Sequence, residues 1–344
     1  MGGATTMYRF IIKRLGFQIF VLLGLTLFTF SLMYLLPGDP AASISALTAG
    51  GSGNAEDLAA FRQLWGLDQP LYIQYLSFLG NILTGDLGTS MVSNRSIMHE
   101  LATFFPATAE LAVAALVLVV LIGVPVGVLA AVYRNHIIDH IVRIITVVGV
   151  SMPIFWLAIL ALVVFFGQLG WVPSSQRIGI LDTPPERVTG FYTIDSLIAG
   201  DFSALASSLH HLILPASILA ISGIALIARI VRASMLDVLG QDYIRTARAK
   251  GLKNHVVLIR HALRNALIPF VTSLGLLVGA LLSGTVLTET IFSWPGIGRF
   301  AVQSVFYLDR PAVLGVTLLV GVIYAVVNLS VDILVARLDP RIQY

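Results

Sequence analysis

The chain has no cysteine. Disulfides, thiolate metal sites and thiol nucleophiles are therefore excluded. Charge is scarce as well: Asp, Glu, Lys and Arg make up 11% of the 344 residues, against about 25% in a soluble domain. So thin a charged coat cannot cover a water-soluble globule of this size. Disorder is excluded too, because it needs low hydrophobicity and high charge. Lysine occurs three times, as Lys13, Lys250 and Lys253, and never after glycine, so there is no phosphate-cradling Walker A loop. His99-Glu100 is followed at the required spacing by Thr103 rather than histidine, and no G-x-S-x-G elbow occurs. Zinc-protease and serine-hydrolase chemistry lose their motifs.

What the chain has is apolar surface. The hydrophobic set reaches 57% and the mean hydropathy is +0.90. A bilayer core needs roughly 20 apolar residues in a helix. Six uncharged stretches qualify: 15–38, 111–133, 144–176, 202–228, 265–288 and 311–331. The first follows Arg9, Lys13 and Arg14 but is longer than the roughly 7–15 residues of a signal peptide's apolar region. It runs into Pro37-Gly38-Asp39-Pro40, a turn, and is read as a retained span. The expected fold class is an all-α integral membrane protein with six transmembrane helices. Residues 1–106 would form an N-terminal part with a long outer loop, and 107–344 a five-helix core. Pro125, Pro153 and Pro269 can kink their spans by removing a backbone donor. Gly123-x-x-x-Gly127 and Gly275-x-x-x-Gly279 place small residues one turn apart, which permits close helix contact in lipid.

Basic residues set the orientation. With the N-terminus in the cytoplasm, 15 of the 21 Lys and Arg fall on the cytoplasmic side, and 13 of the 18 acids fall outside. Both termini are then cytoplasmic, Ser52 and Ser174 face outside, and Thr246 faces inside. The same asymmetry accounts for the pI of about 9.3 without nucleic acid as a partner.

In the first outer loop Asn54 is a candidate helix cap, with Glu56 and Asp57 in the first turn where the helix dipole favours acids. Leu58, Phe61 and Trp65 share one face. Tyr72, Tyr75, Leu76, Leu79, Ile82 and Leu83 form a second amphipathic face, expected to pack over the spans or lie on the membrane surface. The second outer loop, 171–206, reads as a docking or lining surface. Glu110, Glu289 and Asp332 sit at span ends. His210 and His211, in the outer part of the fourth span, have no carboxylate nearby in sequence and read as interfacial residues.

The strongest local signal is the cytoplasmic stretch 229–264. Within it, Asp242 to Gly251 reads as a complete short helix. Asp242 is the candidate N-cap, Gly251 the left-handed residue after the C-cap, and Arg248 and Lys250 complement the dipole. Ile244 and Ala247 give a small apolar face, flanked by Tyr243, Arg245 and Arg248. A capped helix too polar for lipid is suited to a groove on another protein. The competing reading is attraction of its charges to anionic lipid, worth about 1 kcal/mol each.

This loop resembles the E-A-A-x-x-x-G loop of ABC-importer permeases, present here as Arg245-Thr246-Ala247-Arg248-Ala249-Lys250-Gly251. Over nearly its whole length the chain is similar to the first membrane subunit of dipeptide, oligopeptide and nickel importers. The resemblance rests on Leu36-Pro37-Gly38-Asp39-Pro40, Gly66-Leu67-Asp68-Gln69-Pro70, Gly85-Asp86-Leu87-Gly88 and Ser151-Met152-Pro153. It continues in the segment from Arg260 to Ala266 and in Thr288-Glu289-Thr290-Ile291-Phe292-Ser293-Trp294-Pro295-Gly296. The second loop, from Thr189-Gly190-Phe191 to His211-Leu212-Ile213-Leu214-Pro215, resembles the dipeptide branch. The resemblance implies the type I ABC-importer permease fold, a transport subunit with no ATPase site of its own, and four kinds of partner. These are a homologous second permease, two cytoplasmic ATPases that bind ATP and Mg, an extracytoplasmic substrate-binding protein, and membrane lipid. It makes 242–251 the ATPase-docking coupling helix, with Asp242, Tyr243, Ile244, Arg245, Ala247, Arg248, Lys250 and Gly251 as its residues. It makes Glu289, Trp294, Pro295 and Gly296 an outer gate, although Trp294 reads equally well as an interfacial anchor. Nickel, haem or another solute stays open as cargo. So does a different class, a channel or scaffold that works without ATP.

Overall fold

The computed structural model describes residues 2–48 and 55–338. Among these, regular structure is helical apart from one isolated antiparallel bridge between Thr89 and Ser96. Five helices are long and apolar enough to cross a membrane: Ile12–Leu35, Ile97–Val132, Phe202–Leu239, Ile268–Ile291 and Arg310–Val335.

The third expected span is different. Helices Ile137–Ser151 and Ile154–Gln168 meet at 104°, in place of the single helix expected over 144–176. Pro153 has no N–H to continue the ladder, and it forces Met152 into an extended conformation, φ −80° and ψ 129°. Each half is about 22 Å long at the α-helical rise, short of the roughly 30 Å hydrocarbon core. Counted together as one broken span, the pair brings the candidate spans among the described residues to six.

Charges are poor markers of where the spans end. The second helix starts at Ile97, well before Glu110, and carries Pro106 inside it. The fourth runs through Arg229 and Arg232 to Leu239. Its start is capped by Asp201, whose carboxylate accepts from Ala204 N at 2.9 Å.

The chain divides into two compact units. One takes the residues up to Pro106 together with Pro295–Ala325; the other takes Ala107–Trp294 and the chain from Val326 onward. The division expected from the sequence places 295–325 within the five-helix core. In the structure Ile297, Ala312 and Val316 bury instead against Ile97 and Leu101, which groups them with the N-terminal part.

In this first unit, the helix Leu71–Leu83 packs beside the first span rather than over its end. Tyr75 donates to Leu23 O at 3.2 Å, its ring lies 5.3 Å from that of Phe30, and Tyr34 donates to Gln74. Arg62 pairs with Asp39. Asn54, the candidate cap, lies outside the described residues. Helix Ala55–Leu64 buries no side chain.

The second unit is organised around Phe202–Leu239. Its buried Leu219, Ile227, Val231 and Met235 join Leu111, Val119, Leu277 and Leu281 in one core. Glycine makes the tightest approach. A Cβ on Gly127 would stand 2.6 Å from Ala228 O and 2.8 Å from Val231 Cβ, and one on Gly275 would meet the Asn328 side chain at 2.5 Å. Next to Gly127 the helix widens to a π-helical turn at Val119–Gly123. Gly127→Val should therefore cost about 1–3 kcal/mol through overpacking. Thermal melts in detergent should show this against Gly24→Val, whose Cβ meets nothing within 4 Å. Equal melting temperatures would contradict the contact.

Candidate functional site

The connection between the fourth and fifth helices carries the coupling-helix residues. Helix Asp242–Ala249 forms where expected, but its cap differs. Gln241, extended at φ −76° and ψ 150°, is the N-cap and uses no side-chain bond. Asp242 instead sits in the first turn and accepts from Arg245 Nη1 at 3.2 Å. The far end is as expected. Gly251 takes φ +74°, a conformation costly for a residue with a Cβ. Its N–H bonds Arg248 O at 2.9 Å, and Leu252 N reaches back to Ala247 O at 3.4 Å.

The apolar face points inward, which corrects its assignment as the face offered to a partner. Ile244 is 0% and Ala247 7% exposed, and both belong to the core of their own unit with Met235, Val257 and Ala262. An eight-residue helix cannot hold itself in water; packing this face on the core fixes it. What remains exposed is Asp242, Tyr243, Arg245, Thr246, Arg248, Ala249 and Lys250, three cations against one acid. Tyr243 Oη accepts from Asn265 Nδ2 at 2.8 Å, which ties the helix to the segment that enters the fifth helix.

The fourth and broken third helices are bolted together close by. Arg232 donates from Nε at 2.6 Å and Nη2 at 2.8 Å to the two oxygens of Asp139. Asn135 N adds a third bond at 3.1 Å, and Asp139 is 0% exposed.

The expected gate residues lie in a different setting from the one the sequence suggests. Glu289 is buried, 0% exposed, and accepts from Thr108 Oγ1 at 2.6 Å. Trp294 is 1% exposed and its indole N–H donates to Ala107 O at 2.8 Å. A tryptophan anchored at a lipid interface keeps one edge wet; this one is a core residue. Ser293 at φ +49° makes the turn out of the helix. Pro295 follows, and Gly296 is the N-cap of helix Ile297–Phe306.

Beside Trp294 is a polar cluster that the sequence does not reveal. Arg177 and Glu110, each 6% exposed, pair at 2.6 Å. Arg177 also donates to Gly190 O at 2.9 Å, and the Tyr192 ring face covers its guanidinium at 3.8 Å. The other oxygen of Glu110 accepts from Thr193 N and Oγ1 at 2.9 and 2.6 Å. Asp195 then closes the turn, taking bonds from Thr189 N and Oγ1 and from Gly190 N. Burial pushes the Asp195 carboxyl up, but these donors hold it below the usual range. The loop after the broken span, expected as a docking or lining surface, is thus latched to helix Ile97–Val132 by its own buried charges. Glu110 and Arg177 are 67 residues apart, so no local pattern could join them. The only signal in the sequence is an isolated charge of each sign beside an apolar run.

His210 and His211 are explained by backbone bonds. His210 Nε2 meets Trp171 O at 2.7 Å, and His211 Nδ1 meets Ser207 O at 2.8 Å. Among the described residues no group of three acidic or histidine side chains is placed to hold a metal ion.

Comparison with known proteins bears on the whole chain. Residues 123–344 match the family described as binding-protein-dependent transport system inner membrane component, and residues 7–112 match the companion family of its N-terminal part. A probable D,D-dipeptide transport system permease protein of Escherichia coli is 45% identical, with 98% of both chains covered. A dipeptide transport system permease protein of Alkalihalophilus pseudofirmus is 43% identical, with 98% of this chain and 100% of that one covered. A di/tripeptide transport system permease protein of Pseudomonas aeruginosa is 44% identical, covering 98% and 99%.

Proposed function

Since the chain belongs to the family of binding-protein-dependent transport system inner membrane components, a multi-pass inner membrane transport subunit, we propose that it is a permease of an ATP-driven importer of dipeptides and other short peptides. The full-length similarity to dipeptide and di/tripeptide permeases supports the cargo. In this reading it lines half of the pathway beside a homologous second permease. An extracytoplasmic binding protein delivers the peptide, and two cytoplasmic ATPases bind ATP and Mg. Both termini are cytoplasmic.

One observation carries the coupling role. Helix Asp242–Ala249 is fixed to the permease core by Ile244 and Ala247, and it offers the opposite, cationic face to the solvent. A helix free on both sides would transmit no motion. One gripped by an ATPase through Arg245 and Arg248, and rigidly packed on the core behind them, acts as a lever on the spans. Closure of the ATPase dimer on ATP would then move the spans between inward-open and outward-open arrangements. This replaces the docking face first assigned to Ile244 and Ala247. Glu289 and Trp294 enter as packed residues at the end of the fifth helix.

The test is reconstitution of the chain with its partner permease, ATPases and binding protein in liposomes. Uptake of Ala-Ala should require ATP and the binding protein. ATP-independent flux would instead favour a channel. Orientation is checked on the naturally cysteine-free chain. Leu181 is 99% exposed, so Leu181→Cys should react with an impermeant thiol reagent on intact cells. Thr246→Cys should react only after the membrane is opened. Ser52, a second expected outer position, lies outside the described residues. Labelling of Thr246→Cys in intact cells would reverse the orientation.

A further inference from the structure

In the first unit, the start of helix Ile97–Val132 and the helix Ile297–Phe306 enclose a cavity of about 290 Å³. Three of its lining residues carry charge: Glu100, Arg95 and Asp309. Their situations differ. Asp309 is fully engaged: it accepts from Ser90 Oγ at 2.5 Å, from Val92 N at 3.3 Å and from Ala312 N at 3.3 Å. It holds the loop 89–96 to the start of the last helix and needs no further partner.

Glu100 is 5% exposed, yet among the described residues its carboxylate has no hydrogen bond or ion pair. Neither Glu100 oxygen is among the buried side-chain atoms left without a partner, so the carboxylate is open to the cavity that Glu100 lines and can accept a charge-assisted bond from a cationic group there. The first turn of a helix favours a negative side chain there, which explains why Glu100 is tolerated but supplies no counter-charge. Arg95 is exposed at the same cavity, and its guanidinium has no ion-pair partner among the described residues. Phe104 and Phe300 stack with centroids 5.1 Å apart, and both line the same cavity.

We propose that this cavity binds a small zwitterion, an amino acid or dipeptide, with its ammonium on Glu100, its carboxylate on Arg95 and its side chain against Phe104 and Phe300. The three parts of the ligand match three parts of the cavity. A bare metal ion lacks the apolar part and would need more oxygen ligands than one free carboxylate offers. The volume is at the small end of ligand sites, which suits one or two residues and not a longer peptide. The inference rests on the peptide reading above and deepens it, giving the permease a weak peptide site of its own, apart from the binding protein.

The experiment measures binding to the full-length chain, assembled with its partner subunits in lipid nanodiscs and without binding protein. Radiolabelled Ala-Ala is the probe. Saturable binding is expected, in the millimolar range or tighter. N-acetyl-Ala-Ala, which has no ammonium, should compete at least about tenfold less well, because a buried charge-assisted bond is lost. Ala-Ala amide, which has no carboxylate, should be weakened in the wild type but little further by Arg95→Gln. Glu100→Gln should weaken Ala-Ala at least about tenfold while leaving the response to N-acetyl-Ala-Ala unchanged. A Phe104→Leu variant keeps both charges and should weaken Ala-Ala while preserving the preference for the free ammonium. The proposal is overturned by no saturable binding, by equal competition from the acetylated peptide, or by a correctly assembled Glu100→Gln complex that binds normally. Each of these can occur while ATP-driven, binding-protein-dependent uptake of Ala-Ala persists, so the failure of this site and of the peptide-import reading are distinguishable.

Discussion

Arg177→Met is expected to cost the protein about 3–5 kcal/mol of stability, because it leaves Glu110 as a buried carboxylate without its cation. Both side chains are 6% exposed, so water cannot replace the lost partner. The cost is comparable to the whole margin of many folded proteins. Poor yield from membranes and a large fall in melting temperature in detergent are the readouts. The matched double variant Glu110→Gln/Arg177→Met removes the charge and its obligation together. It should recover most of the loss, since a neutral pair of similar volume is often tolerated where a broken ion pair is not. Thr193 would still donate to the amide carbonyl placed at position 110. If the single variant melted within about 1 kcal/mol of the parent, the pair would be a surface contact worth little, and the latch would not exist.

The second large effect separates folding from coupling at helix Asp242–Ala249. Ala247→Glu puts a charge where the parent side chain is 7% exposed and packed on its own core. The side chains it would meet there, such as Met235 and Val257, are apolar. It should destabilise the isolated permease by several kcal/mol, with no ATPase present. Arg245→Glu/Arg248→Glu reverses the exposed face and should leave the melting temperature within about 0.5 kcal/mol of the parent. It should nevertheless release the ATPases on copurification and abolish ATP-driven uptake. The opposite pattern, a stable Ala247→Glu permease that loses its ATPases and a charge-reversed one that keeps them, would restore the apolar face as the docking surface.

These two sites mark where local sequence stops being informative. The helix at 242–249 is legible because its signals are short-range. Gly251 needs a left-handed backbone, and the charges near the end suit the dipole. Which face turns inward is not legible, since Ile244 and Ala247 read equally well as a docking face and as a core face. The choice depends on Met235, Val257 and Ala262 arriving from either side. Span positions are legible from apolar runs, but their ends are not. Glu110 and the arginines from Arg229 onward read as boundaries because a lone charge is costly in lipid. Glu110 and Arg232 nevertheless lie inside their helices, because partners 67 and 93 residues away neutralise them.

Sequence alone determined the class of molecule: six apolar segments, a charge asymmetry, one structured polar loop, and motifs characteristic of a transport permease. These follow from composition, helical periodicity and short spacing, all of which act within a few turns of chain. Tertiary structure alone decided where the few charges go. It paired Glu110 with Arg177 and Asp139 with Arg232, buried Glu289 and Trp294, and set Glu100 in the lining of a cavity. In a chain with 11% charged residues each of these placements is costly unless a partner meets it, and such partners are brought together by helix packing rather than by order along the chain.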